Sequence, residues 1–433
     1  MKRILILSNT FYPDPTVAAI RVTEWAKYFR NQGDRVTVVC RQYLTRRQME
    51  SGADLEGVNL IRLGMPRTED GGDRNTEKSS GDSVSRKARH AARKLATSLV
   101  SGISVPDVAI WRQRRLLEKT LCVAESVAPE IMIVSSPPHS IHWLGGRIAA
   151  AIKVPWIADF RDPFTIDRRF MASKTNFAKR YFTNRFEESV YAQASLVTHA
   201  IPIHYRWMRR QRPQWADKMR LLTNGVPDEI AGLLGKSAPI PLIDKPQIQV
   251  FSSSTIEPAT LVNLSQAFTE LYPEKCLSVR FCGNAPSAIP GDTDQASFRF
   301  LGRISHQQAV SETIAADVLF SHLPDQHAAG MGLSSKLFEY LASARPVIHV
   351  NPTRSDRLFL KQWPHASVLD DPSVRELKRT LLVAISAPPS LLLNQSSRFI
   401  SAYQRKTQCQ QLHAWIAGVI GRSDAVLEGN GQA

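Results

Sequence analysis

Short apolar runs alternate with longer amphipathic segments through most of the chain, and this alternation predicts parallel strands covered by helices. Residues 4–7 read as a buried strand, 18–31 as a helix ended by Gly33, and 36–40 as the next strand, a βαβ unit. Residues 59–63, 131–134, 156–159 and 196–198 continue the strand series, with a helix over 141–153, until the turn Asn224-Gly225. The proline-rich stretch 235–246 interrupts the pattern and reads as a linker. A second series follows, with strands at 248–251, 277–282, 318–321 and 347–350 and helices at 261–271, 307–315 and 335–344. The expectation is an α/β chain of two Rossmann-like domains facing across a cleft. A first domain spans 1–234, a linker 235–246, a second domain 247–395, and a C-terminal helix and tail 396–433. A chain of 433 residues exceeds the ordinary size of one compact core.

In open parallel sheets, ligands gather beyond the carboxyl ends of the strands. That rule directs attention to the loops at 8–21, 135–140, 160–165, 251–257, 283–290 and 324–336.

Composition narrows the class without naming a function. At 43% hydrophobic and 22% charged residues, the chain resembles an ordinary globular protein. The apolar run near Met1 stops at Leu7, which suits a buried strand rather than a secretory segment. No stretch approaches the roughly 18 apolar residues of a membrane span. The expected location is therefore cytoplasmic, peripheral at the inner face of the plasma membrane if a membrane is met. Cys40, Cys122, Cys276, Cys282 and Cys409 are scattered without metal-ligand spacing and read as buried thiols. No metal or cofactor is expected.

Charge changes the picture more. The 55 Lys+Arg against 39 Asp+Glu give +16, which suits an anionic partner. Nine basic residues fall within 85–119, against Asp107 and Glu118 alone. Ala88, Ala92, Leu95, Leu99 and Ile103 share one helical face there, so residues 86–119 are the candidate contact with an anionic leaflet. A solvated charged helix is the plain alternative. No aromatic-plus-basic recognition motif accompanies the charge, which argues against nucleic acid. The stretch 70–85 reads as a polar loop.

The strongest local chemistry lies in AGMGLSSKLFEYLASARPVI. Gly330 and Gly332 permit close approach of backbone to a ligand, and Ser334 or Ser335 suits a helix N-cap. Lys336 then falls in the first helical turn, where the macrodipole disfavours a cation unless an anion such as a diphosphate sits between. Glu339, three residues on, shares a face with Lys336 and is placed to accept hydrogen bonds from ribose hydroxyls, or the two form an ordinary surface pair.

These residues resemble a known family. SSKLFEYLASARPVI is similar to the donor-binding helix of retaining GT-B glycosyltransferases of family 4, in the subset making bacterial surface polysaccharides. ILSNTFYPDPTVAAIRVTEWAKYFRNQGDRVTVV, SSPPHSIHWLGGRIAAAIKVPWIADFRDPF, LLTNGV and LGRISHQQAVSETIAADVLF resemble further pieces of that family in the expected order. The resemblance implies a UDP- or GDP-linked sugar on the second domain without an obligatory metal. It implies Glu339 on the ribose, Gly332, Ser334, Ser335 and Lys336 on the diphosphate, and backbone near Arg303 facing the base. Transfer would go with retention to a lipid-linked saccharide acceptor carried by the first domain.

In that domain Arg161 and Asp162 are the candidate catalytic pair, Asp162 to orient or deprotonate an acceptor hydroxyl and Arg161 to stabilise developing negative charge. A structural pairing of Arg161 with Asp159 or Asp162 is the bland alternative. His139 and Arg21 are candidate cleft residues. The chain also departs from the family pattern. DPTVAA lacks a Gly-Gly pair, Ser252, Ser253 and Ser254 stand where a glycine is usual, Glu257 stands where a basic residue is common, and Met331 replaces a glutamate. A nucleotide-sugar epimerase and a non-catalytic nucleotide-sugar-binding or scaffold protein are the rival readings.

Overall fold

The computed structural model describes residues 1–14, 16–41, 55–64, 104–166, 177–234, 241–323 and 332–430. They form two compact units, Met1–Leu222 with Cys409–Ala433, and Thr223–Gln408.

In the first unit a seven-stranded parallel sheet runs β3-β2-β1-β4-β5-β6-β7. Its strands are β1 (Arg3–Ser8), β2 (Arg35–Arg41), β3 (Val58–Leu63), β4 (Ile131–Ser136), β5 (Trp156–Phe160), β6 (Leu196–His199) and β7 (Met219–Leu221). The central strands β4 and β5 are buried at every position, as expected of strands covered on both faces. One face carries α1 (Val17–Asn31), with Val22, Trp25, Ala26 and Phe29 packed beneath Ile4, Ile6 and Ile133. The other carries α2 (Ile110–Val127), α3 (Ile141–Ile152), α4 (Phe177–Gln193) and α5 (Pro202–Gln211), whose apolar sides meet Leu5, Leu7, Val134 and Phe160. At Gly145 an added Cβ would stand 2.4 Å from Val134 Cγ2, so the absence of a side chain is what lets α3 lie against β4.

In the second unit α6 (Asp228–Leu234) precedes a six-stranded parallel sheet in the order β10-β9-β8-β11-β12-β13. The strands are β8 (Gln247–Ser252), β9 (Cys276–Phe281), β10 (Ala296–Phe300), β11 (Val318–His322), β12 (Val347–Val350) and β13 (Ala366–Leu369). Helices α7 (Pro258–Leu271), α8 (His306–Ala315), α9 (Lys336–Ala342), α10 (Arg354–Leu360), α11 (Val374–Ile385) and α12 (Pro389–Tyr403) complete the unit. Each sheet reverses its strand order once, between β1 and β4 in the first and between β8 and β11 in the second, and such switch points are where doubly wound sheets hold ligands.

Several sequence expectations shift. The last helix, α13 (Arg405–Asn430), returns to the first unit, because Cys409, Leu412, Ile416 and Val419 bury themselves in the cluster with Ile4 and Phe29. The units accordingly divide at Leu222 and Thr223 rather than at 234. Strands β10 and β13 were not expected; both are sheet edges with partly exposed positions and lack a continuous apolar run. Cys122 and Cys276 are exposed rather than buried, and the five thiols are free. The amphipathic stretch 88–103, the loop at 70–85 and residues 235–240 of the linker lie outside the described residues.

Candidate functional site

The second switch point joins the loop after β8 to the start of α9. Tyr340, fully buried on α9, accepts a hydrogen bond from the Ser253 amide at 2.7 Å, and its hydroxyl pairs with Ser253 Oγ at 2.9 Å. Lys336, one helical turn earlier, donates through Nζ to the Ser253 carbonyl. Both polar ends of one serine backbone are thus held by residues four apart on one helix face. Burial holds the Lys336 ammonium below its ordinary range, opposed by Cys282 and Glu339 nearby. The neighbouring serines are satisfied locally, with Ser252 Oγ donating to the Ser254 carbonyl at 2.8 Å and the Ser254 amide donating to Ser252 Oγ at 3.2 Å. Gly283 after β9, at φ +124°, brings its backbone against this loop, where a Cβ would meet Thr255 Oγ1 at 3.0 Å.

The segment leading into α9 is anchored from the next helix. Thr353 caps α10 reciprocally with Asp356, and the same two side chains reach outward. Thr353 Oγ1 donates to the Gly332 carbonyl at 2.7 Å, and the Ser334 amide donates to Asp356 Oδ1 at 3.0 Å. Asp356 is fully buried, with His349 Nε2 3.3 Å from its other oxygen. At Gly332 an added Cβ would meet no atom within 4 Å.

Glu339 does not pair with Lys336. Its Oε1 lies 2.9 Å from Nε2 of exposed His306 on α8, so the two residues read as an i, i+3 pair in sequence have separate partners. Ser335 occupies the N-cap position of α9, one of the two serines expected there, without a side-chain capping bond. Arg303 is exposed and donates to Asn284 Oδ1 at 3.2 Å. Glu257 occupies the N-cap of α7, half exposed, its carboxylate 4.0 Å from His322 Nε2.

In the first unit the candidates gather at the carboxyl ends of β4, β5 and β6. Arg161 pairs with Asp162 at 3.2 Å, with Asp162 half exposed. Asp159 is held elsewhere. Fully buried, it accepts hydrogen bonds from Arg21 at 3.0 Å, Thr198 Oγ1 at 2.7 Å and Ser135 Oγ at 2.8 Å. Arg21 also donates to the Leu222 carbonyl at 2.7 Å and stacks on Trp25, so it ties β5 to α1 and β7 inside the domain. His139 stacks on Phe164 with ring centroids 4.0 Å apart, and its Nδ1 is buried without a partner among the described residues. Burial, with His142, His204 and Arg161 adding to it, holds His139 well below the ordinary histidine range, so the ring is neutral.

Sequence reading missed Ser253 as a partner, Tyr340, Thr353 and Asp356. Two signals were present: a tyrosine hydroxyl inside an apolar helical stripe needs a partner, and Thr353-x-x-Asp356 has capping-box spacing.

Residues 18–225 match the family described as Glycosyl transferase 4-like domain. A search of curated protein sequences finds no match. Among solved structures, a glycosyltransferase from Rickettsia africae is similar at TM-score 0.59 and 9% identity, over 97% of this chain and 99% of that one. The Anabaena protein HepE in complex with UDP is similar at TM-score 0.57 and 11% identity, over 96% and 100%. A putative UDP-N-acetylglucosamine 2-epimerase from Listeria monocytogenes is similar at TM-score 0.58 and 10% identity, over 96% of each chain. Residues 18–225 are therefore similar to a glycosyl transferase 4-like domain, and the whole chain shares with these structures the GT-B fold of two Rossmann-like domains.

Proposed function

We propose that the protein is a glycosyltransferase that takes a sugar from a UDP- or GDP-linked donor bound on its second domain. The observation that carries this reading is the meeting of Lys336 with the loop after β8 at the switch point of the second sheet, with Glu339 one turn further along the same helix. The HepE structure holding UDP supports a nucleotide partner on this fold.

Each residue then has a chemical task. Glu339 accepts hydrogen bonds from ribose hydroxyls and exchanges His306 for them. Lys336 exchanges the Ser253 carbonyl for a diphosphate oxygen; the added negative charge raises the amine's affinity for its proton and opposes the effect of burial. Ser335 and Gly332 offer backbone amides and Ser334 its hydroxyl to the same diphosphate, the Ser334 amide being held by Asp356, and Arg303 lies beside the base. In the transition state the leaving diphosphate gains charge, and a lysine in place beforehand stabilises it without reorganisation. Asp162 orients the acceptor hydroxyl, Arg161 answers the developing charge, and neutral His139 offers a hydrogen-bond acceptor. Transfer proceeds with retention and without a metal to a lipid-linked saccharide in surface polysaccharide assembly, at the inner face of the membrane. No described helix is long and apolar enough to cross a membrane.

The test is calorimetric titration with UDP and GDP of the wild type, Lys336→Ala and Glu339→Ala. One nucleotide binds, and each substitution weakens it by about 1 kcal/mol or more, the loss expected for a charged hydrogen bond. Failure of both nucleotides to bind the wild type would overturn the donor site and favour a non-catalytic scaffold. The Listeria epimerase shares the fold to a similar degree, and conversion of a UDP-sugar with no acceptor present would favour that chemistry instead.

A further inference from the structure

The first half of α4 is turned inside out. Lys179, Thr183 and Glu187 occupy its buried side, whereas Phe177, Tyr181 and Phe182 are 84%, 52% and 58% exposed. Phe177 and Tyr181 stand four residues apart and Phe182 follows, so the rings form one patch over two turns, with the last two centroids 5.5 Å apart. A helix that faces water carries its apolar side inward, and this one does the reverse.

The helices on the same face of the sheet repeat the pattern. On α2, Trp111 is 44% exposed beside exposed Arg114 and Arg115, with the Arg114 guanidinium 5.2 Å from the Trp111 ring. On α5, Trp207 is 41% exposed beside exposed Arg206, Arg209 and Arg210. Arg180 and Arg185 accompany the rings of α4. The acidic Glu188 is already paired, to Arg185 at 3.0 Å and Arg212 at 2.6 Å. Helix α3 packs between α2 and α4, and Asp107, just before α2, bonds the Ser140 amide at the start of α3 at 3.0 Å. The starts of these helices therefore lie at the carboxyl edge of the sheet, beside His139, Arg161 and Asp162.

Aromatic rings exposed next to arginines on three helices of one face of the sheet suit one surroundings: the headgroup region of a bilayer, where rings enter the interface and guanidinium groups meet phosphates. The chain's +16 charge selects anionic lipid. We propose that the outer face of α2, α4 and α5 lies on an anionic membrane surface, with Phe177, Tyr181 and Phe182 entering the interface. The purpose of this contact, bringing the first domain to a lipid-linked acceptor, rests on the function proposed above; the contact itself does not. It shares residues 111–119 on α2 with the basic region 86–119 read from the sequence and adds the faces of α4 and α5; residues 86–103 lie outside the described residues.

Co-sedimentation with vesicles of phosphatidylglycerol and phosphatidylcholine tests it, using the full chain and the triple variant Phe177→Ser, Tyr181→Ser, Phe182→Ser. All three positions are exposed, and nucleotide titration together with the unfolding midpoint checks that the variant is folded. The wild type partitions onto phosphatidylglycerol vesicles and not onto pure phosphatidylcholine, and the variant loses at least tenfold in partition coefficient. A wild type that ignores both vesicles, a folded variant that binds as the wild type does, or a patch-dependent interaction with a single-stranded RNA probe in place of vesicles would each overturn the proposal. Because no donor or acceptor is present in the vesicle arm, failure of the donor titration leaves this result readable by itself.

Discussion

The Tyr340 hydroxyl accepts the Ser253 amide at 2.7 Å while Lys336, on the same face of the same helix, bonds the Ser253 carbonyl. A serine backbone thus takes the place in which glycine is expected, and the tyrosine hydroxyl offsets the change by fixing the peptide. Tyr340→Phe keeps the ring in its cavity and removes one buried acceptor. The Ser253 amide then lacks its partner, at a cost of about 1–3 kcal/mol. Part of that cost appears in stability and part in Lys336, whose partner carbonyl becomes free to move. The expected outcome is a weaker nucleotide affinity, by several-fold, in a variant whose far-ultraviolet circular dichroism is unchanged. Unchanged affinity would mean that the serine loop does not position Lys336.

Removing one half of the Arg21 and Asp159 pair is expected to be costly. Both side chains are buried and the carboxylate receives three donors, so Asp159→Asn leaves a buried guanidinium without a countercharge. Loss of one member of such a pair costs about 3–5 kcal/mol. The double variant Arg21→Met, Asp159→Asn recovers part of this, because the unpaired charge has gone. Urea unfolding of the two variants side by side measures the difference, and a double variant less stable than the single would refute the account.

The strands most easily read in the sequence are those buried on both faces: 4–7, 131–134 and 156–159 are apolar runs because helices cover both sides of the sheet. Edge strands β10 and β13 escaped because half-buried residues carry no such run. The role of α13 escaped for another reason: periodicity shows that a helix has an apolar side, not which of two cores receives it. At the site, Lys336 and Glu339 could be singled out from residue type and spacing. Their observed partners, Ser253 and His306, lie 83 and 33 residues away in the chain, and local spacing carries no information about either.

Gly145 faces the side chain of Val134 on β4, and a methyl group there would have to displace the valine's branched end from a fully packed strand. Overpacking of this kind typically costs about 1–3 kcal/mol. Gly145→Ala is therefore expected to lower the unfolding midpoint although alanine favours helix, and Gly145→Ala with Val134→Ala is expected to relieve the clash at the expense of a smaller core. Thermal unfolding of the two variants separates the effects: a single variant more stable than the wild type would show that α3 can retreat at no cost.

His142 and His199 give the first domain an acid limit. Both are buried, and burial pushes each from 6.5 to about 3. The folded state therefore binds fewer protons than the unfolded chain whenever the pH lies between those values. The sign follows: stability is complete above about pH 7 and falls as pH drops below 6.5, at about 1.4 kcal/mol per pH unit for each histidine. At pH 5 the two together remove about 4 kcal/mol. His139 and His204, also held well below their ordinary range by burial, act in the same direction. His142 tests this directly, since neither ring nitrogen has a hydrogen-bond partner among the described residues and the ring lies against Phe160, with centroids 4.5 Å apart. His142→Phe is expected to cost little at pH 7.5, because no hydrogen bond is lost, and to reduce the fall in urea midpoint between pH 7.5 and 5 by about one proton's share. An unchanged pH dependence in that variant would show that His142 is protonated in the folded protein, with water or a rearranged neighbour carrying the charge.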